Sequence, residues 1–175
     1  METSKGDVIR QLDFLENHFT LVDDIQKLNK IRKLIVLTNE NLLKFENEQL
    51  HLSASAVVFV KDKILFIEHP YLKTKLLPAG HVEEGENILA AAIREFTEET
   101  GYFAVANDDN PLLDVNLIKI PTNLTKGEFE HYHIDFRYQL TLASQFPKKA
   151  ELPTFLLSKK EAAPEFKKYF DMLPF

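Results

Sequence analysis

Residues 87–100, turned at about 100° per residue, form a helix with two incompatible faces. Leu89, Ala92, Ile93, Phe96 and Thr100 gather on one side and need another layer to cover them. Glu95, Glu98 and Glu99 stand at i, i+3 and i+4, so they share a different face. Asn87 is placed to cap the first turn, and Gly101 falls where a C′ glycine ends a helix. A chain carrying this helix has to fold in layers, with a sheet under the apolar side.

Three carboxylates within one turn repel each other, by a few tenths of a kcal/mol per exposed pair and more when buried. They also lie toward the helix C-terminus, whose dipole disfavours negative charge. Two readings follow. In one, the acids are a solvated face eased by Arg94 and nearby lysines. In the other, they hold a divalent cation, since Mg²⁺ takes oxygen ligands and contacts substrate phosphates. The loop before the helix carries Gly80 and Gly85, where backbone can approach a ligand closely.

Composition narrows the class. The 175 residues carry 21 Lys+Arg against 27 Asp+Glu, a formal charge of −6, which argues against a nucleic-acid polymer as partner. Cysteine is absent, so thiolate catalysis, disulfides and Cys-type metal sites are excluded. No apolar run approaches the roughly 20 residues of a membrane helix, and no signal peptide is legible. The expectation is a cytoplasmic protein with no membrane partner.

The rest of the chain reads as α+β. Val8, Leu12, Leu15 and Phe19 mark one face of a first helix. Asp23 or Asp24 is placed to cap a second, whose stripe runs Ile25, Leu28, Ile31, Ile35 and then, past a break near 39–41, Leu42 and Phe45. Residues 53–60 and 63–68 are strands around the two-residue loop Lys61–Asp62. Residues 76–78 begin a short extended piece, 113–120, 131–142 and 152–157 read as strands, and 158–171 as a C-terminal helix. The division expected is a helical extension over 1–48, packed on a domain over 49–175.

The segment from Gly80 to Tyr102 resembles the Nudix signature. That signature runs Gly, five residues, Glu, seven residues, Arg-Glu, an apolar residue, any residue, Glu-Glu, any residue, Gly, then an apolar residue. Gly80, Glu86, Arg94, Glu95, Phe96, Glu98, Glu99, Gly101 and Tyr102 occupy those places. Seven fixed residues over 23 positions make the match specific. Softer likeness continues over about residues 50–145, to a bacterial branch of unassigned substrate that carries an N-terminal helical extension. One departure is Ala79, where many relatives have Gly.

The resemblance implies an α/β/α sandwich around a mixed sheet. It implies a Mg²⁺-dependent pyrophosphohydrolase, with Mn²⁺ as substitute, that cleaves a diphosphate linkage in a nucleotide or a nucleoside diphosphate-linked small molecule. Glu95, Glu98 and Glu99 become metal ligands, joined by the Gly80 carbonyl. Glu86, Arg94 and Gly101 become scaffold, the first two as an ion pair. Glu98 or Glu99 is the first choice of base, and the Glu128/Glu130 region the second. The alternative is a non-catalytic Nudix domain that binds a nucleotide or a partner as a sensor. The helical extension leaves a homodimer open.

His131, His133 and Asp135 alternate, so they share one strand face. With His81, directly after Gly80, they are candidate substrate contacts, beside Glu128 and Glu130. A polar strand face of satisfied histidines is the plainer reading. Zinc lacks a further ligand set at the level of sequence. Lys73 and Lys75 are loop lysines, either of which can meet substrate. Phe155, Phe166, Phe170 and Phe175 are expected in the core.

Overall fold

The computed structural model describes residues 3–18, 22–106, 111–124, 127–144 and 149–172. Its elements run α1 (Lys5–His18), α2 (Val22–Leu37), β1 (Leu50–Val60), β2 (Lys63–Glu68), β3 (Lys75–Leu76), β4 (Ala79–His81), α3 (Ile88–Thr100), β5 (Phe103–Val105), β6 (Leu112–Ile120), β7 (His131–Ser144) and β8 (Thr154–Leu157), followed by a 3₁₀ helix over Pro164–Asp171. The eight strands join one sheet, hydrogen-bonded in the order β3-β2-β1-β7-β5. Off that path, β4 pairs with β1, β6 with β7 and β8 with β2. This is the expected α+β class, a mixed sheet with two helices preceding it.

The chain divides into two compact units. One comprises Met1–Ala54, Gly80–Ala91 and Leu112–Arg137, the other Ser55–Ala79, Ala92–Pro111 and Tyr138–Phe175. Strands β1 and β7 and helix α3 contribute residues to both.

In the first unit, Ser4 and Asp7 open α1 with a reciprocal cap. The Asp7 N–H donates to Ser4 Oγ at 3.2 Å and the Ser4 N–H to Asp7 Oδ2 at 2.9 Å. The 3.6-residue period then buries Val8, Leu12 and Leu15 from α1, and Leu28, Ile31 and Ile35 from α2. Both helices pack on β6 as well as on each other. Arg32 reaches from α2 to Asp13 and Glu16 of α1, at 2.6 Å each. Lys27 reaches Asp114 of β6 at 2.7 Å.

Two details differ from expectation here. Helix α2 begins at Val22, so Asp23 and Asp24 fall inside its first turn and do not cap it. There the charge of Asp24 suits the N-terminal dipole, and Asp24 pairs with Lys27 at 3.4 Å. Phe45 is exposed, not part of the apolar stripe, because α2 stops at Leu37 and the helical register lapses. Phe19 lies outside the described residues.

In the second unit, β1 and β2 form an antiparallel hairpin with Val60 opposite Lys63, turned by Lys61 at φ 60° and Asp62. β2 also pairs with β3 and β8, both antiparallel. Phe66 packs edge-on against Phe166 at 5.3 Å between ring centres, and Phe59 against Phe170 at 5.9 Å. The expected C-terminal helix over 158–171 is shorter and tighter. Pro164 has no N–H to continue a helix begun at Ser158, so a turn closed by Ser158 and Glu161 precedes a 3₁₀ helix starting at Pro164. Lys75, a candidate for substrate, is engaged by Glu68 at 2.5 Å and stacks over Phe155 at 3.3 Å. Phe175 lies outside the described residues.

Among the described residues, no helix is long and apolar enough to cross a membrane.

Leu12 and Ile31 have no exposed surface, whereas Val36 of α2 is 74% exposed. Leu12→Ala and Ile31→Ala are each expected to cost about 2–5 kcal/mol in urea denaturation, and Val36→Ala less than about 0.5 kcal/mol.

Candidate active site

Helix α3 starts where Asn87 Oδ1 accepts the Ala90 N–H at 2.8 Å, a side-chain cap. It ends at Gly101, whose φ of 74° is the left-handed C′ conformation. The buried face is Ile88, Ala91, Ala92, Phe96 and Thr100, while Leu89 and Ile93 are only half-buried. The expected stripe is therefore rotated by about one position.

The three carboxylates all belong to the second unit. Arg94 Nη1 bonds Glu95 at 2.7 Å and Glu98 at 3.2 Å, so one guanidinium spans two acids. Glu98 is half-exposed at 49%, Glu95 only 17%. Glu99 accepts the Ala79 backbone N–H at 2.9 Å through Oε2. Burial pushes its carboxyl up to about 7, and the charges of Glu95, Glu151 and Glu98 push the same way. The Ala79 N–H acts in the opposite sense without offsetting them. Near neutral pH this carboxyl is poised between proton and charge.

The backbone here is tied as well. The last carbonyls of α3 are satisfied from a distant loop, as the Glu151 N–H donates to Glu98 O at 3.2 Å and the Leu152 N–H to Glu99 O at 3.0 Å. Ala79 does not have a positive φ, so alanine is accommodated without strain, and its N–H is the donor that fixes Glu99.

Gly80 and the loop before α3 belong to the first unit. Glu86 Oε2 accepts the Glu83 N–H at 3.2 Å, and the Glu86 carbonyl accepts the Thr3 N–H and hydroxyl, both at 3.2 Å. Gly85 turns the loop at φ 75°, a conformation a side chain would strain.

The predicted histidines converge in the first unit, with one that the sequence does not single out. His81, His131 and His133 surround His51 of β1, with ring centres 5.0, 5.0 and 4.6 Å from that of His51. His51 Nδ1 lies 3.0 Å from the Asn47 carbonyl, and His131 Nδ1 2.7 Å from the Phe129 carbonyl. Burial holds His51 and His81 down at about 4, and His133 lower still, so these rings are neutral at physiological pH. His51 Nε2 is buried with no hydrogen-bond partner. An unsatisfied buried polar atom costs about 1–3 kcal/mol.

Asp135 shares the strand face of His131 and His133 but has a separate role. It is bonded by Arg137 Nε at 2.9 Å and Ser53 Oγ at 3.0 Å, a buried pair with its lone pairs occupied.

Glu128, Glu130 and His131 line a cleft of about 670 Å³ with His51, Phe45 and Phe129. Glu128 bonds Lys44 at 2.8 Å and Glu130 bonds Lys119 at 2.9 Å. The predicted residues thus fall into two groups. The metal-type carboxylates stand together on α3, and the histidines gather beside the cleft. His51 had no local signal, because its partners lie 30 to 82 positions away along the chain.

Comparison with known proteins identifies the lineage. A family model for the NUDIX domain matches residues 49–168. The chain is 57% identical over 145 residues to a probable DHNTP pyrophosphohydrolase of Lactococcus lactis subsp. cremoris (strain MG1363), covering 83% of this chain and 86% of that protein. Among solved structures, a NUDIX hydrolase from Nitrosomonas europaea aligns with TM-score 0.50 and 26% identity, over 70% of this chain and 80% of that one. A NUDIX-family hydrolase from Clostridium perfringens aligns with TM-score 0.52 and 24% identity, over 71% and 98%. The helix that carries Glu95, Glu98 and Glu99 lies wholly within the matched region, and the chain belongs to the NUDIX family of hydrolases.

Proposed function

We propose that the chain is a Mg²⁺-dependent pyrophosphohydrolase of small nucleotide-like substrates, with Mn²⁺ as a substitute ion. DHNTP, the compound in the relative's name, is the first substrate to test. The observation that carries this reading is Glu99, a half-buried carboxylate beside two others, with one backbone N–H to hold it. A purely structural design gains nothing from that arrangement. A cation relieves it, and a set of oxygen donors only suits Mg²⁺ or Mn²⁺. A chain of net charge −6 also needs a cation to accept a polyphosphate.

Glu95, Glu98 and Glu99 are assigned as the residues that hold the ion. When bound, divalent ions offset phosphate charge and acidify the attacking water. The protein's own groups do the rest. The Ala79 N–H fixes one oxygen of Glu99, and Arg94 orients Glu95 and Glu98. Glu98, the more exposed carboxylate, is assigned as the base that takes the proton from water. Glu128 and Glu130 rank behind it because neither stands among the carboxylates of α3 assigned to the ion. Glu86, Arg94 and Gly101 serve as scaffold.

The cleft of the first unit supports the choice of a heterocyclic substrate. Phe45 and Phe129 are exposed rings at its edge, and Glu128 and Gln49 offer acceptors for ring N–H groups. His131 forms part of its wall.

Hydrolysis of DHNTP, read as released pyrophosphate, is expected with Mg²⁺ and not with EDTA. Glu99→Gln should lower kcat by about 10²–10⁴-fold. Phe129→Ala should raise KM about tenfold at unchanged kcat, the loss of one stacking contact. Binding without turnover, across DHNTP and a panel of nucleotides, would favour the sensor reading instead. The Glu99 pKa also fixes a stability trend. The folded chain binds more protons than the unfolded one between about pH 4.5 and 7, so this residue lowers stability as pH rises through that window. In EDTA, Glu99→Gln should match the wild-type Tm below pH 4.5 and exceed it above pH 7, and Mg²⁺ should narrow the gap.

A further inference from the structure

The histidine cluster of the first unit is a separate feature with its own chemistry. His51 stands on β1, His81 on β4, and His131 and His133 on β7. Ring centres of His81 and His133 lie 4.9 Å apart, and those of His131 and His133 5.0 Å. One nitrogen from each of His51, His131 and His133 falls within 4.8 Å of the others. The Nε2 atoms of His131 and His133 are 3.1 Å apart, and those of His81 and His133 3.4 Å. Two nitrogens bound to one tetrahedral Zn²⁺ at 2.0–2.1 Å stand about 3.3 Å apart. Both observed separations bracket that value.

Counting protons exposes the deficit. The Asn47 and Phe129 carbonyls only accept, so Nδ1 of His51 and Nδ1 of His131 must carry the hydrogen. In neutral rings that leaves Nε2 of both as bare lone pairs. A proton on His133 Nε2 satisfies the contact to His131, but then His133 Nε2 cannot accept from His81. If His81 donates instead, His131 and His133 face each other lone pair to lone pair. Either way the buried His51 Nε2 has no donor. Backbone carbonyls that fix Nδ1–H and leave Nε2 free are also the arrangement that orients histidine ligands to metals.

We infer that His51, His131 and His133 form a binding site for a borderline divalent transition-metal ion of the zinc class, with the fourth position open to water or a ligand. The donors are all imidazole nitrogens, which select Zn²⁺ or Co²⁺ and not the oxygen-seeking Mg²⁺. The ion is thus distinct in kind from the one assigned to the carboxylates of α3. It joins β1 and β7 at a single point and fixes His51 and His131, two residues of the cleft wall.

The test uses the full chain, free of any affinity tag and stripped with chelator, then loaded with Co²⁺ and desalted. One Co²⁺ per chain is expected, with the visible absorption of a tetrahedral nitrogen-bound ion. It should persist in Glu99→Gln and weaken at least tenfold in His51→Asn and His133→Asn. No retained ion in the wild type, loss in Glu99→Gln, or full retention in both histidine variants would overturn the site. Should the histidine variants fail to fold, histidine-ring ¹⁵N NMR of the wild-type protein decides. One equivalent of Zn²⁺ should move the Nε2 signals of His51, His131 and His133 together, and their remaining unmoved would overturn the proposal.

Discussion

A carboxylate near the C-terminal end of a helix, packed against protein and flanked by two others, is an unfavourable thing to bury. In α3 that carboxylate is Glu99, and a single backbone N–H from Ala79 accompanies it. Its neighbours Glu95 and Glu98 share the guanidinium of Arg94, which leaves the face acidic overall. Burial, the unfavourable dipole end and like charge all act in one direction. Much around Glu99 serves to keep it there. Asn87 and Gly101 fix where the helix begins and ends, and Phe96 and Thr100 anchor the buried side. The loop at Glu151 and Leu152 takes the last carbonyls. These contacts hold Glu99 where burial and neighbouring charge both disfavour its ionised form.

The first unit manages polar burial by a different means. Asp135 is balanced by Arg137 and Ser53, and Asp114 by Lys27, so charges inside it arrive with partners. The two N-terminal helices supply one of those partners and cover β6. The histidines are the exception. Burial keeps His51, His81 and His133 neutral, backbone carbonyls orient His51 and His131, and the buried Nε2 of His51 has no hydrogen-bond partner. The contrast between balanced pairs and an unbalanced cluster within one unit is what marks the cluster as a ligand site.

Local patterns were enough to read much of this in the sequence. The cap at Asn87, the stop at Gly101, the hairpin at Lys61–Asp62 and the buried stripes of α1 and α2 all follow from short-range chemistry. What the sequence misplaced depends on contacts from far along the chain. Leu89 and Ile93 fit the helical period as well as Ile88 and Ala91 do, so the period alone does not choose which pair is buried. The short strands β4 and β5 exist because longer strands pair with them. Pro164 interrupts the segment 158–171 that otherwise reads as one helix, and the 3₁₀ helix starts there. The carboxylates of α3 were legible because they are neighbours in sequence. His51 was not, because nothing within its own strand distinguishes it from a core residue.

The most direct measurement is the titration of Glu99 itself, followed by ¹³C NMR of its side-chain carboxyl in the full chain. In EDTA the account predicts a pKa of about 7. With saturating Mg²⁺ it predicts a value below the ordinary 4.5, since the ion favours the charged form. An ordinary carboxylate titration in EDTA, or one that Mg²⁺ leaves in place, would contradict the claim that this helix is built around a cation.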